Sequence, residues 1–301
     1  MVKKTLLGLS LALLSVCGFA STFVFGSLLT KKCQVSAEFL AFFRFLTAGV
    51  LILAFSLLHR CDRQKILSLK RGDWLLLAAI GPIGTSIMAW CVFKGCSMVS
   101  AANASMADAL TPLLVYVFAA LYNRRTSLLE IIGVLTGFAG AMLVMKVISA
   151  DGVNLDEYGI GDIYIFFAAA TWGLYTVLGR NSIKKIGAMA FTGLTMCLGA
   201  VFMLPFIPFA AFNAPQNLES WRLSLELCIV STLMPFWAWN AAQKYLPVSI
   251  LAMTAYFTPI FAVAIATITI GEISTPCQWL GTVIIIIASI LNLKSGSPPS
   301  K

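Results

Sequence analysis

Long apolar stretches alternate with short polar breaks along the whole chain, and this alternation predicts helices. Each stretch approaches the length of about 20 residues that a helix needs to cross the hydrocarbon core of a bilayer. The ten segments cover residues 5–30, 37–58, 74–94, 99–121, 128–148, 162–180, 187–209, 225–243, 249–270 and 276–293. We therefore predict an all-α integral membrane protein with ten transmembrane helices.

The composition supports a membrane protein and argues against a soluble domain. Of the 301 residues, 59% are hydrophobic and 11% are charged, and the mean hydropathy is +0.92. Soluble domains have about 45–50% apolar and about 25% charged residues. The net charge of +9 is spread over short polar breaks. Because no single basic face results, we expect no nucleic-acid partner.

Lysine and arginine are distributed unequally between the two sides that successive breaks would occupy. The side of the N-terminus carries fifteen of the 21 basic residues, and Arg44 lies inside the second segment. The five on the opposite side are Lys31, Lys32, Lys94, Lys146 and Arg222. Because basic residues accumulate in cytoplasmic loops, we expect both termini in the cytoplasm, in a plasma membrane or a bacterial inner membrane.

The two halves of the chain repeat the same organisation. Aligning Trp90–Pro112 with Trp237–Pro259 pairs identical Trp, Met, Thr and Pro residues at matching positions. We expect a first five-helix repeat over residues 1–148, an extracytoplasmic linker over 149–161, a second repeat over 162–293 and a cytoplasmic tail over 294–301. Since five is an odd number, the second repeat would be inverted in the membrane, as in many secondary transporters.

The fourth segment, Val99–Leu121, contains an ionisable residue near its middle. Asp108 is followed four residues later by Pro112, which has no N–H to donate to the Asp108 carbonyl. At helical spacing, Ser105 shares a small, polar stripe with Asp108. A carboxylate inside a spanning helix is a functional candidate. It can bind an amine, take up a proton, pair with Arg44 or make a structural contact.

The other candidates for binding a solute are one cation and three polar or aromatic residues. Arg44 can face a cavity, or its side chain can reach the membrane interface. Trp172, Tyr175 and Asn240 can form aromatic and amide walls of a cavity, although Trp and Tyr also anchor helices at the interface. Opposite charges from Asp108 and Arg44 in one cavity would suit an amino acid or similar zwitterion.

Signatures of enzymes and of cofactor sites are missing from the sequence. We find no phosphate-binding GxxxxGK[ST] loop, no HExxH and no GxSxG motif. The eight cysteines have no metal-ligand spacing, and the single histidine, His59, lies in a charged break that we expect to be a loop. We therefore predict no enzymatic activity, no cofactor and no metal site.

In the order of its motifs the chain resembles the drug/metabolite transporter superfamily, in its ten-helix EamA-type form. The residues that carry the resemblance are Pro112, Pro259, Gly271, Glu272, Gly281, Trp172, Gly173, Arg44 and Phe45. The first repeat has Arg124 and Arg125 where the family has Gly-Glu, so a role for that glutamate carries over only to Glu272. The resemblance implies alternating access through a cavity lined by helices 1–4 and 6–9, with helices 5 and 10 outside.

The expected function is secondary transport of a small polar organic solute, an amino acid or similar metabolite, with the direction left open. A flippase for lipid-linked substrates of the same superfamily is the alternative, and a membrane-embedded enzyme is a weaker one. The expected partners are the solute and the lipid bilayer. Gly133, Gly137 and Ala141 form a small face that suits close helix packing within a monomer or the seam of a homodimer.

Overall fold

The protein is an all-α integral membrane protein whose described helices overlap all ten of the predicted apolar segments. The computed structural model describes residues 2–99, 104, 110–122, 128–144, 148–149, 152–153, 159–209, 212–270 and 276–294. Five of its helical runs are long and apolar enough to cross a membrane by length and composition. These runs are Lys3–Lys32, Ala37–Leu58, Arg71–Met98, Ile160–Ile186 and Ala188–Phe206.

The helices and strands of the first half have the following bounds. They are α1 Val2–Ser27, α2 Ala37–Leu58, α3 Arg60–Leu67, α4 Arg71–Pro82, α5 Met88–Met98, α6 Thr111–Leu121, α7 Leu128–Val144, β1 Ile148–Ser149 and β2 Gly152–Val153. The two strands pair antiparallel within residues 148–153. They belong to the segment between the halves.

The second half contains helices only in its described part. They are α8 Ile160–Ile186, α9 Ala188–Met203, α10 Leu218–Cys228, α11 Met234–Ala242, α12 Val248–Thr254, α13 Phe257–Ile270 and α14 Pro276–Lys294. A 3-10 segment, Leu204–Phe209, extends α9. The turn between α8 and α9 is made by Gly187 alone, at φ +92°. Glycine adopts this conformation without the steric cost that a Cβ would bring.

The charged break after α2 is a short helix, so our expectation of a loop there was wrong. Helix α3 buries Ile66 and exposes Arg60 and Arg63. Asp62 lies in its first turn, where the helix dipole favours a negative charge. Asp62 also pairs with Lys65 at 3.7 Å. A single buried side chain and local charge pairing make this segment a surface helix.

A π-helical turn, Leu28–Lys32, continues α1 at its end, and a further π-helical turn interrupts a long helix in each half of the chain. Ile83–Ile87 joins α4 to α5, and Ile229–Leu233 joins α10 to α11. A hydroxyl near each turn donates to a backbone carbonyl at 2.7 Å, Thr85 to Gly81 and Thr232 to Leu227. Such hydroxyls satisfy carbonyls that irregular helix geometry frees inside a membrane bundle.

Helices α7 and α14 pack along one another. A Cβ added at Gly140 would lie 2.9 Å from the Gly281 carbonyl oxygen, and one at Gly137 would lie 2.7 Å from the Tyr256 ring. Ala141 is fully buried. The small face of the fifth predicted segment is therefore used for packing within the chain.

Contacts between helix ends define two ends of the bundle. At the Ser36 end, Ser36 exchanges backbone and hydroxyl hydrogen bonds with Asn213, which brings the starts of α2 and α10 together. At the opposite Asp73 end, Lys185 near the end of α8 forms an ion pair with Asp73 at the start of α4. The candidate site lies between these two ends.

Candidate functional site

A cavity lies in the centre of the bundle. It encloses about 560 Å³ of space free of protein atoms, including the part that opens outward. Its wall takes residues from α1, α2, α5, α6, α8, α11 and α13, for example Phe19, Arg44, Met88, Thr111, Trp172, Phe236 and Thr258. Predicted segments 1–4, 6, 8 and 9 all contribute. The seventh segment contributes none of the described lining residues.

Arg44 is the charged residue of the described cavity wall. Its side chain is 2% exposed, so it faces the protein interior and does not reach the membrane interface. Its guanidinium carbon lies 5.0 Å from the Phe45 ring centroid, 5.5 Å from Phe93 and 5.8 Å from Phe236. Aromatic rings at these distances attract a cation through their negative faces.

The hydrogen bonding of Arg44 is incomplete among the described residues. Nη2 donates to the Ser231 carbonyl oxygen at 3.1 Å. Nε and Nη1 are buried and have no partner in the part of the chain that the structure describes. A buried guanidinium whose charge is not compensated costs several kcal/mol. The site can therefore gain much from an anion that accepts a hydrogen bond from Nε or from Nη1.

The Ser231 carbonyl is available because of the local sequence. Pro235 has no N–H, so it cannot donate to the carbonyl four residues earlier in the helix. The Thr22 hydroxyl also donates to the Ser231 oxygen, at 3.4 Å. The Ser21 and Ser231 hydroxyls share a hydrogen bond of 2.6 Å. The π-helical turn thus fixes both α1 and Arg44 at the cavity.

Aromatic rings form the wall next to Arg44. The Phe236 ring lies 4.9 Å from Trp172 and 5.3 Å from Phe19, edge to face in both pairs. Trp239 lies 5.7 Å from Trp172. Among the described lining residues, this geometry leaves a mostly apolar surface with one cationic group, which suits a ligand that combines an apolar part with an anion.

Tyr175 and Asn240 lie behind this wall. Tyr175 stacks on Trp172 at 5.1 Å. The Asn240 amide nitrogen donates to the Tyr175 hydroxyl at 2.9 Å and to the Thr192 hydroxyl at 2.8 Å. Gln243 donates to the Asn240 carbonyl oxygen at 3.2 Å. All four side chains are buried. The network joins α8, α9 and α11 and holds the Trp172 ring in place.

A model described as the EamA-like transporter family matches residues 6–146 and 159–294. The chain belongs to the EamA-like transporter family. This result confirms the family resemblance that the sequence motifs indicate.

Relatives of this family member are named transporters in archaea and bacteria. An uncharacterized transporter of Archaeoglobus fulgidus is 25% identical, over 90% of this chain and 91% of the relative. The uncharacterized inner membrane transporter YedA of Escherichia coli is 27% identical, over 82% and 78%. The uncharacterized transporter YdfC of Bacillus subtilis is 28% identical, over 83% and 79%. The chain is thus a multi-pass membrane transporter.

A solved crystal structure shares the fold of this family member. The two superpose with a TM-score of 0.72 at 19% identity, over 96% of each chain. At this identity the likeness concerns the fold. It shows that the helix arrangement described above is one that a crystallised protein also adopts.

The site residues predicted from sequence fall into three groups by their position relative to the cavity of this EamA-like protein. Arg44 and Trp172 line the cavity, whereas Tyr175 and Asn240 support it from behind. Asp108 and Ser105 lie outside the described residues. Sequence reasoning missed Thr22, Phe19, Phe236 and Ser231. The Pro235 signal was available for Ser231, but nothing in the local sequence indicated that α1 and α2 meet this turn.

Proposed function

We propose that this family member is a secondary transporter for a small organic solute that carries an anionic group, such as the carboxylate of an amino acid or similar metabolite. The observation that carries the proposal is Arg44, a buried cation on the cavity wall whose Nε and Nη1 nitrogens lack partners among the described residues. A carboxylate can accept a charge-assisted hydrogen bond from either nitrogen. The bound solute would then provide the charge compensation that the described part of the cavity wall lacks.

The rest of the cavity wall indicates what the remainder of the solute is like. Trp172, Phe236 and Phe19 offer aromatic surface beside the guanidinium. An apolar or aromatic portion would gain about 25 cal/mol per Å² of apolar surface removed from water. That Asp108 and Ser105 supply polar contacts to the solute stays a prediction.

We infer that the solute crosses by alternating access between two inverted five-helix repeats. The family model matches each half once, and each half has a π-helical turn in the third helix of its proposed repeat. Halves that share one plan but face opposite sides can exchange conformations with little change in energy. The central position of the cavity between the two bundle ends suits this mechanism.

We also propose that both termini lie in the cytoplasm and that the Asp73 end of the bundle faces it. Helix ends expected on one side of the membrane contact one another in pairs. Lys185 meets Asp73 at the end with many basic residues, and the Arg180 side chain there donates to the Leu246 carbonyl at 3.2 Å. At the Ser36 end, Lys31 donates to the Val99 carbonyl at 2.6 Å. This pairing supports the alternation derived from the basic residues.

Transport assays in proteoliposomes test the proposal. Protein reconstituted into vesicles should exchange labelled amino acids or related carboxylates with internal unlabelled solute, and mass spectrometry should find the solutes chemically unchanged. Analogues that lack the carboxylate, such as amino-acid amides, should exchange much less. Exchange of cations alone, or conversion of a solute by detergent-purified protein, would overturn the proposed function.

A further inference from the structure

A second cavity lies outside the central site, on the other side of the third helical run. It encloses about 950 Å³ of space free of protein atoms, counted out to the protein surface, and it shares no lining residue with the central cavity. Trp90 lines the second cavity, whereas Met88, two positions earlier, lines the central one. Two positions correspond to about 200° around an α-helix. The helix therefore forms a partition between the two cavities.

The second cavity contains a carboxylate without a cationic partner among the described residues. Glu38, in the first turn of α2 at the Ser36 end, accepts a hydrogen bond from the Trp90 indole nitrogen at 2.9 Å through Oε1. No ion pair joins Glu38 to another residue in the described part of the chain. The second oxygen is therefore available to a ligand that carries positive charge.

An unpartnered hydroxyl lines the same cavity. Ser86 belongs to the π-helical turn Ile83–Ile87 and is 1% exposed. Its hydroxyl has no hydrogen-bond partner within the described ranges. A buried hydroxyl without a partner costs about 1–3 kcal/mol. A ligand that reaches Ser86 from the Glu38 side can remove this cost.

The remaining wall is apolar and opens to the outside of the bundle. Phe202 and Phe206 are 42% and 56% exposed, and their ring centroids lie 5.4 Å apart. Ile87 and Met203 complete the apolar surface. Both rings belong to the run Ala188–Phe206, which is long and apolar enough to cross a membrane. A ligand can therefore enter this cavity sideways from the bilayer.

We propose that this lateral cavity is a second binding site, specific for an amphiphilic amine. Its ammonium group binds the Glu38 carboxylate next to the Trp90 ring, a cation site of mixed ionic and aromatic character. Its alkyl part lies against Ile87, Met203 and the two Phe rings. Both a soluble alkylamine and a phospholipid with an ethanolamine headgroup combine an ammonium group with an alkyl part. The site depends on neither the central cavity nor transport of a solute.

Binding to the full-length protein purified in dodecyl maltoside tests this site without a transport measurement. The probes are octylamine and its neutral analogue 1-octanol, and the readout is thermal unfolding at increasing probe concentration. We expect octylamine to raise the midpoint temperature Tm with an apparent affinity at least about tenfold above that of 1-octanol. A tenfold ratio corresponds to about 1.4 kcal/mol. Equal affinities of octylamine and 1-octanol for the unaltered protein would overturn the proposal. This comparison needs no variant.

Two variants locate the binding. Glu38→Gln keeps the side-chain shape and removes the charge, so octylamine should bind about tenfold more weakly while 1-octanol is unaffected. Glu219→Gln, a matched change of an exposed glutamate in the first turn of α10, should leave both affinities unchanged. Unchanged octylamine affinity in a folded Glu38→Gln protein would contradict the site.

Native mass spectrometry then separates the two sources of the amine. Protein extracted from vesicles of phosphatidylethanolamine and phosphatidylglycerol should retain the ethanolamine lipid selectively if the bilayer supplies the ligand, and octylamine should displace it. Octylamine binding without selective lipid retention would assign the site to soluble amines. Absence of both would overturn it.

Discussion

The Nη2 atom of Arg44 donates to the carbonyl oxygen of Ser231 at 3.1 Å, inside the π-helical turn before Pro235. This contact ties the second helix of the first half to a long helix of the second half. It also orients the guanidinium so that Nε and Nη1 stay without partners in the described part of the chain. A residue that bridges the halves and lines the cavity can couple binding to a change in how the halves pack.

Loss of the network behind the cavity should destabilise the protein. Tyr175→Phe removes the acceptor of the 2.9 Å bond from Asn240, and each of Tyr175→Phe and Asn240→Leu should lower the free energy of unfolding by about 1–2 kcal/mol. The two losses overlap because they share one hydrogen bond. Denaturation of the two single variants and of the double variant in mixed micelles measures this overlap. Tyr245→Phe, at a partly exposed tyrosine, is the control. Fully additive losses would contradict the shared bond.

Close packing at the π-helical turn Ile83–Ile87 requires a glycine at position 84. A Cβ there would collide with the Tyr175 ring. A Cβ at Gly72, in the same helical run, would have no atom within 4 Å. Gly84→Ala should therefore cost about 1–3 kcal/mol through overpacking, and Gly72→Ala should be neutral or stabilising. Thermal unfolding in detergent compares them. Equal Tm values for the two variants would show that Tyr175 can move without cost.

The fifteen-to-five distribution of basic residues predicts on which side of the membrane the termini lie. Reporter fusions at residues 1 and 301 should give cytoplasmic signals, and a fusion within residues 149–161 should report from the other side of the membrane. The physical reason is the cost of moving Lys and Arg across the membrane. Termini on opposite sides would mean an odd number of crossings and would rule out two inverted five-helix repeats.

The helices were predictable from sequence, but the site was predictable only in part. Long apolar runs indicate spanning helices because the bilayer requires them, and the α2 segment was predicted with the bounds that the structure has. Arg44 was found because a charged residue inside an apolar run is rare. Trp172 was found because aromatic side chains often form the walls of solute cavities. Phe19 and Phe236 were not found, because which face of an apolar helix turns inward depends on its neighbours. Tyr175 supports the wall because stacking on Trp172 fixes it there.

Asp108 stays a candidate that mutation can decide. Asp108→Asn keeps the size and hydrogen bonding of the side chain but removes its charge. If the carboxylate binds an amine or carries a proton, the variant should fold and lose transport or its pH dependence. A purely structural pairing with Arg44 predicts poor expression, partly rescued by Arg44→Gln. Normal transport by a well-expressed variant would exclude Asp108 from the mechanism.

The most direct test of the central claim is exchange of a labelled carboxylate solute in proteoliposomes with wild-type protein, Arg44→Lys and Arg44→Gln. Arg44→Lys keeps the charge but loses the planar guanidinium with its Nε and Nη1 donors, so the KM for exchange should rise about tenfold or more. Arg44→Gln removes the charge and should abolish saturable exchange while the folded protein remains in the vesicles. We predict that the order of activity is wild type, lysine, glutamine. Exchange of the carboxylate by Arg44→Gln at the wild-type rate would contradict the account.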